Sequence, residues 1–578
     1  MESRRVDKLN HFKNLDRYTA TAFSISIIFS VIFSVFSIIQ YYSIGTSAYD
    51  LGINAQELWA FIHTGSFYTP LLNENLLVQH FIIFKFLQIP LYYLFPSPVT
   101  LMIFEDIFIA LAGYIVYLIS NEILKSRVNS RKILFMISMI FLFSYEMSPY
   151  VQGLVSFPFH NMAFLPFFFL LAFYSFLTEK RVLQIISILF IISLHANFVY
   201  IVAILIVYEF FYLHTENGKK IKTWLSNSSR TGGARDFAIM VVIIALLYGY
   251  LVMAGIIKLH IAGVSSYSLI PSTGESGTPV SSPLALISLI FTKPAEFRGI
   301  IGTNSGMKIF YLNFMFKSLG YIPLFSPLSL IMDIPYVMYA MPSSYSAYYQ
   351  IGYQYSAMII GALYISAIVG FYNITRLYDY SKKYFKEKTK DRIRRNFAGK
   401  SGEKNVIQVC LIILIAVVIV MMPFGLLSPP QIQQSPHGSV INDIFKEHIS
   451  GTPAYLTGLS ESIPQSSYIL TENTLMPYFS NHLHIYATPY SPGYSKNLSE
   501  FQYIVIENNS FWAKIGGNQS LQYIVNSTLK NGTFNVIDRY SAGNIVVLEN
   551  VKMEQQQVSK SESNMCIFSA LPKVNRFS

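Results

Sequence analysis

The chain has 578 residues, of which 52% are hydrophobic, 16% aromatic and only 13% charged, and its mean hydropathy is +0.42. Soluble domains carry about 25% charged residues, so the composition excludes an ordinary soluble protein and points to an integral membrane protein. The formal charge of +11 does not imply nucleic acid, because the positive residues lie in short clusters between apolar runs: Arg4 to Arg17, Lys125 to Lys132, Lys180-Arg181, Lys219 to Arg235 and Lys382 to Lys404. That is the pattern of loops on the inner membrane face.

In chain order, Thr19–Gln40 is the first apolar run. It is long and no small-residue cleavage site follows it, so it reads as a retained span and not a cleaved signal. Tyr49-Asp50-Leu51-Gly52 then sets a carboxylate just past that span. Ile53 to Ile62 reads as a short amphipathic helix. His80 to Phe95 is apolar but too short to cross the hydrocarbon core, and the charge rule places it as an interfacial or re-entrant helix on the outer face. Further spans are expected at Pro98–Ile119, Ile133–Tyr150, Asn161–Phe176, Phe237–Ile257, Tyr355–Leu377 and Val406–Leu426.

Two long runs must be split. Leu183 to Leu213 has basic flanks on both sides, which requires an even number of crossings, so it divides near His195-Ala196-Asn197. Ile309 to Tyr339 divides near Pro323 to Pro327. The result is about eleven transmembrane helices with the N-terminus cytoplasmic and the C-terminus outside. The expected fold is therefore an all-α polytopic membrane domain over residues 1–427, with an external α/β or mostly β domain over 428–578. Pro429-Pro430 opens that tail, and Ser467–Leu470, Tyr503–Glu507, Phe534–Asp538 and Asn544–Leu548 read as its strands. Glycosylation sequons gather there, at Asn497, Asn508, Asn518, Asn526 and Asn531, as exported surface allows.

Asp50, Asn54 and Glu57 are spaced four and three, so they share one helix face, with Leu51, Ala55, Leu58 and Ile62 opposite. The apolar face is expected on the membrane and the polar face along a cavity. Asp50 is then either a general base toward a hydroxyl acceptor or a carboxylate that stabilises a helix start. The outer segments also carry His80, His160, His195 and His260, each in a different segment, which gives no metal-ligand spacing. Lys258, Lys293, Arg298 and Lys308 are cations in or beside an outer loop, available to a phosphate or simply solvated. Glu105, Asp106 and Asp333 lie within spans, where a carboxylate is costly and is either functional or bonded to a neighbour. Tyrosines crowd Tyr336 to Tyr355, Tyr353 included, as an interfacial belt or a rim that packs on sugars and isoprenoids. Two cysteines, Cys410 and Cys566, build no disulfide framework. No Walker A loop, dinucleotide fingerprint or zincin motif occurs, which argues against an ATP-driven pump or a soluble-cofactor enzyme. The cofactor is unknown, and a divalent metal is an open option that ligand spacing does not support.

The run Tyr49-Asp50-Leu51-Gly52, Gln56, Trp59, His80-Phe81 and Pro90-Leu91-Tyr92 to Pro98 resembles a domain-of-unknown-function family of prokaryotic polytopic membrane proteins. Phe159-His160, Pro327-Leu328, Pro335, Tyr353-Gln354-Tyr355-Ser356-Ala357 and the tail stretch Ile463 to Tyr478 agree with it. The layout is similar to that of GT-C glycosyltransferases, which take sugars from polyprenyl-phosphate donors and keep an acid after the first span, where Asp50 stands. The resemblance implies a membrane glycosyltransferase acting on an exported acceptor, with membrane lipid and a lipid-phosphate sugar donor as partners and no nucleic acid. Asp50 would be the base. Asn54, Gln56, Glu57, His80, His160, His195, Lys258, Arg298, Tyr353 and Tyr355 would bind substrate, Lys258 or Arg298 at the leaving phosphate. Three departures stand out. Pro158 replaces an acid two before His160, Glu105 replaces a glutamine, and His195-Ala196-Asn197 replaces a Lys-Glu-Asp run at the split-helix apex. A transporter or lipid flippase using Glu105, Asp106 and Asp333, and a non-catalytic envelope protein acting through its tail, are the alternatives.

Overall fold

A computed structural model of the chain describes residues 17–75, 81–216, 283–343, 345–388, 451–488, 498–508, 510–514, 520–540 and 544–551, with helical residues between 240 and 253 and between 412 and 419. The expected spans Phe237–Ile257 and Val406–Leu426 fall largely outside them, as do His80, Lys258, His260, Asn497 and Asn518. The described residues are mostly helical, with a small C-terminal sheet. Contacts divide the chain into two compact units: residues 1–39, 77–86 and 102–446, and residues 40–76, 87–101 and 447–578.

The helices in chain order are α1 (Arg17–Tyr42), α2 (Ile53–Thr64), α3 (Lys85–Leu94), α4 (Pro98–Leu124), α5 (Arg131–Glu146), α6 (Pro149–Ser156), α7 (Leu165–Leu177), α8 (Arg181–Leu194) and α9 (Val199–Glu216). They continue with α10 (Pro283–Thr292), α11 (Pro294–Gly302), α12 (Ser305–Lys317), α13 (Ile334–Ala340) and α14 (Ala357–Lys388). Among the described residues, three helical stretches are long and apolar enough to cross a membrane: Arg17–Tyr42, Pro98–Leu124 and Gln354–Tyr378. The pair α5 and α6, bent by 43°, makes a fourth if it counts as one broken span. Shorter apolar helices cover Asn161–Leu177, Arg181–Leu194 and Ala196–Tyr212. The split expected at His195 is present. The Ile309–Tyr339 run breaks more heavily than expected, into α12, two 3-10 turns at Ile322–Phe325 and Ser329–Asp333, and the seven-residue α13. Pro323, Pro327 and Pro335 explain the interruptions, since proline removes a helical donor.

In the first unit, burial runs opposite to that of a soluble helix. On α1 the exposed residues include Phe23, Ile27, Ile28, Val31, Ile32 and Val35, while Ala22, Ser26, Ser30 and Ser37 are buried. Lipid solvates the aliphatic face, and small residues let neighbouring helices approach. Ala22 packs with Tyr117 of α4 and Met139 and Leu142 of α5. Buried tyrosines tie segments to backbone carbonyls: Tyr150 to Tyr311 at 2.7 Å, Tyr336 to Tyr348 at 2.6 Å and Tyr364 to Ser144 at 2.6 Å.

In the second unit a five-stranded sheet runs β4-β3-β5-β7-β6, after a two-residue hairpin of β1 (Tyr68–Thr69) and β2 (Glu74–Asn75). The strands are β3 (Tyr468–Glu472), β4 (His484–Thr488), β5 (Tyr503–Glu507), β6 (Phe534–Tyr540) and β7 (Ile545–Asn550). β3 is parallel to β4 and β5, while β7 is antiparallel to β5 and β6. Leu470, Ile504, Ile506 and Leu548 form its core with Val525 of the helix Leu521–Lys530. The expected strands are all present, with β3, β6 and β7 each ending two residues later than expected. β4 was not expected.

Gly370 of α14 faces the Ile322 carbonyl so closely that a Cβ would collide with backbone, whereas Gly299 of α11 has open space. Gly370→Ala should therefore cost about 1–3 kcal/mol by overpacking, while Gly299→Ala is neutral or gains up to about 1 kcal/mol from helix propensity. Thermal unfolding of the two variants in detergent checks this; equal melting temperatures would contradict it.

Candidate functional site

Asp50 sits on a short helical turn, Ala48–Gly52, whose backbone is not regular. Tyr49 is extended (φ −68°, ψ 138°) and Asp50 is at φ 68°, ψ −83°. A residue with a Cβ rarely holds such a conformation, and it costs of order 1–3 kcal/mol. Local hydrogen bonds hold it. Ser47 Oγ donates to the Tyr49 carbonyl at 2.8 Å, and Asn54 Nδ2 donates to the Asp50 carbonyl at 2.7 Å. The Gly52 amide donates to the Ser47 carbonyl at 3.2 Å. Desolvation pushes the Asp50 carboxyl from 3.8 up to about 7.

The helix that follows begins at Ile53 as expected, but its faces do not divide as expected. Leu51, Ala55 and Leu58 are fully buried, and so are Gln56 and Glu57; Asn54 is also buried. The helix is packed on both faces, because protein covers the side expected to lie on lipid. Asn54 Nδ2 serves the Asp50 backbone. Neither end of the Gln56 amide finds a hydrogen-bond partner among the described residues, nor do the Trp59 indole N–H, Ser43 Oγ and Thr46 Oγ1. Buried polar groups are normally paired, so this run of partnerless groups on either side of Asp50 in the sequence is unusual. Spacing could not reveal it, since it depends on what packs over both faces.

In the first unit, His160 and His195 do the same local job. Each starts a 3-10 turn and uses Nδ1 as acceptor, from the Met162 amide and from the Asn197 amide, both at 3.1 Å. An imidazole that accepts on Nδ1 keeps its proton on Nε2, so each ring presents an Nε2–H donor. Glu105 Oε1 accepts the His160 amide at 2.9 Å, next to Phe159 at φ 38°. Thus an intramembrane carboxylate sets the backbone of the histidine turn. Phe157 lies 6.4 Å from the His160 ring and 5.9 Å from Tyr353.

His195, Asn197, Tyr200 and Tyr339 bring polar groups to the lining of a cavity of about 330 Å³, which Met162 also lines. The rest is apolar, largely Ile201, Ile204 and Val207 along one stripe of α9, with Met338 and Met358. Tyr336, Tyr348 and Tyr349 are core residues, whereas Tyr345 is exposed. Tyr355 packs edge-on against Tyr348 at 4.2 Å.

Arg298 is exposed on α11, and its Nε donates to the Pro294 carbonyl at 3.4 Å. Lys308 is the cation that stands out. It is buried, donates to the Ile301 carbonyl at 3.3 Å and lies over the Tyr349 ring at 5.2 Å. Among the described residues it has no carboxylate partner. Asp333 is also buried, and neither of its carboxyl oxygens has a hydrogen-bond partner there. Glu146, not singled out by sequence, is buried against Gly113, where a Cβ would collide with its carboxyl. Among the described residues, no group of three His, Cys, Asp or Glu is arranged to hold a metal.

A family profile described as "Predicted membrane protein (DUF2079)" matches residues 40–540. No curated protein matches the chain. Among solved structures, it is similar to the crystal structure of ArnT from Cupriavidus metallidurans bound to undecaprenyl phosphate, with TM-score 0.45 and 11% identity over 91% of this chain and 98% of that one. It is also similar to the apo crystal structure of that protein, with TM-score 0.43 and 11% identity over 90% and 97%.

Two predictions arise from the second unit. Between its ordinary value and about pH 7, folded Asp50 holds a proton that the unfolded chain has released. Glu472, pushed from 4.5 up to about 7 chiefly by desolvation, acts in the same sense. Stability therefore falls as pH rises through that window, and the melting temperature should drop between about pH 5 and pH 8. The drop should be smaller in Asp50→Asn; identical slopes would show that Asp50 titrates normally. Gln56→Leu removes two buried polar atoms that lack partners and should leave stability unchanged or raise it by about 1–3 kcal/mol. A loss of that size would show that the amide is satisfied.

Proposed function

We propose that this chain, which belongs to the DUF2079 family of predicted membrane proteins, is a membrane glycosyltransferase of GT-C layout that transfers a sugar from a polyprenyl-phosphate donor to an exported acceptor. Asp50 carries the reading: an acid outside the first long apolar helix, in a strained turn, desolvated until it titrates near 7. A general base works best when its pKa lies near the operating pH. The Asp50 carboxylate takes the acceptor hydroxyl proton as the hydroxyl oxygen bonds to the anomeric carbon. The bond from that carbon to the donor phosphate oxygen breaks, and the lipid phosphate leaves with the electron pair.

Other features support parts of this scheme. The cavity along α9 is largely apolar with a few polar lining residues, which suits a lipid chain. His195 and His160 supply Nε2–H donors that orient a substrate. Lys258 or Arg298 is the cation proposed for the leaving phosphate. Asn54, Gln56, Glu57, His80, Tyr353 and Tyr355 complete the substrate-binding set. The N-terminus is cytoplasmic in this reading and the C-terminal domain faces outward, where Asn526 and Asn531 are exposed sequons.

A second reading, a transporter or flippase, draws on Asp333, whose buried carboxyl lacks a partner among the described residues. Its signature is substrate accumulation in vesicles with no new covalent product.

In proteoliposomes supplied with polyprenyl-phosphate sugars, Asp50→Asn at preserved expression should lower transfer by about 10²–10⁴-fold. The wild-type rate should rise with pH along a limb centred near 7. Undiminished turnover in Asp50→Asn would remove the base assignment.

A further inference from the structure

We propose that the C-terminal sheet is the positioning element of the Asp50 turn, with Asn473 as its positioning residue. This rests on the reading of Asp50 as the base and gives the C-terminal domain a part in the same site. The Ala48 amide, two residues before Asp50, donates to the Asn473 carbonyl at 2.7 Å and to Asn473 Oδ1 at 3.0 Å. Asn473 is buried and directly follows β3, the middle strand of the parallel group. Its neighbour Glu472 is anchored in turn, accepting the Glu507 amide at 2.6 Å and the Ser510 hydroxyl. The tether is thus fixed to the sheet and not to a loose loop.

The segment after β3 makes the remaining contacts. Met476 Sδ packs against Gly52, where a Cβ would have to displace it. The Tyr478 hydroxyl donates to the Tyr41 carbonyl, and the two rings pack 4.7 Å apart. Asn481 accepts from the Tyr92 hydroxyl and donates to the Pro96 carbonyl, both at 2.7 Å. Four side chains within nine residues therefore hold the turn before Asp50, the glycine after it and the far end of the same outer segment. A turn at φ 68° persists only if its surroundings over-determine it. Ser47 and Asn54 bond it locally, and Asn473 supplies the bond from the sheet that lies nearest to the strain.

The test reads the Asp50 carboxyl directly. Full-length protein in liposomes is treated with a water-soluble carbodiimide and glycine ethyl ester across a pH series, and the peptide carrying Asp50 is quantified by mass spectrometry. The carbodiimide reacts with the protonated carboxyl, so labelling of the wild type should fall with a midpoint near 7. In Asn473→Leu the turn relaxes, the carboxyl hydrates and the midpoint moves toward about 4, cutting labelling at pH 6.5 by about tenfold or more. Asn473→Asp keeps an oxygen for the Ala48 amide and should hold the midpoint at or above that of the wild type. Asn473→Ala replaces the leucine variant if that one does not melt cooperatively. An unchanged midpoint in the variant lacking the side-chain acceptor overturns the inference while leaving the base assignment intact. Full transfer by Asp50→Asn removes the base assignment whatever the labelling shows.

Discussion

The Ala48 amide shares its proton between two oxygens of Asn473, 425 residues later in the chain. Much of the second unit's organisation depends on that tether. The turn it holds places Asp50 where the backbone would not go unaided, and the next residues run straight into α2. Gly52, which packs against Met476, already has helical backbone angles and leads into α2 at Ile53. The helix is then covered by protein on both faces. Glu57 and Gln56 are buried in it, although hydrophobic patterning would have left them wet.

The first unit is governed by a different constraint, the need to end and restart helices without leaving amides bare in an apolar medium. His160 and His195 meet it by capping with Nδ1. The cap has a chemical consequence. A ring whose Nδ1 lone pair is committed to an amide keeps its proton on Nε2, and in that state neither nitrogen has a lone pair to spare for a metal. At the split-helix apex, His195 and Asn197 bring neutral groups and no formal charge to the lining of the α9 cavity. Glu105 bears on the same design. Its carboxylate takes the His160 amide and thereby fixes the turn that orients the ring.

The sequence was most readable where one periodicity and one environment decided the outcome. The long helices α1, α4 and α14 follow from uninterrupted apolar runs, and the break at His195 follows from charge on both flanks. Strand β5 lies where β-branched residues predicted it. β4 was missed because His484-Ile485-Tyr486-Ala487-Thr488 is short, sits near Pro477 and Pro489, and is set by its register against β3. The dissolution of Ile309 to Tyr339 into turns was only partly visible, since three prolines mark breaks without saying how much helix survives between them. At the candidate site, the position of Asp50 was legible and its conformation was not. Positive φ at an aspartate, the tether to Asn473 and the burial of Lys308 all depend on contacts between distant segments. Arg298, which looked equivalent to Lys308 by position, proved to be solvated.

Three separate costs fall within residues 43–59. Asp50 holds a strained backbone. Its carboxyl is desolvated to about 7. Ser43, Thr46, Gln56 and Trp59 bury polar atoms that lack partners among the described residues. Each cost alone has a structural explanation, such as an ordered water or a tight turn. Their coincidence is harder to explain by folding, because each can be removed by a simple substitution. Glycine at position 50 relieves the backbone, leucine at 56 removes the orphan amide, and alanine at 43 or 46 removes a hydroxyl. None of these changes touches the contacts made by Asn473, Met476 or Tyr478. A segment kept only for its fold would shed such costs one by one, whereas one that must present a neutral-range acid among unspent hydrogen-bonding groups has to keep them together.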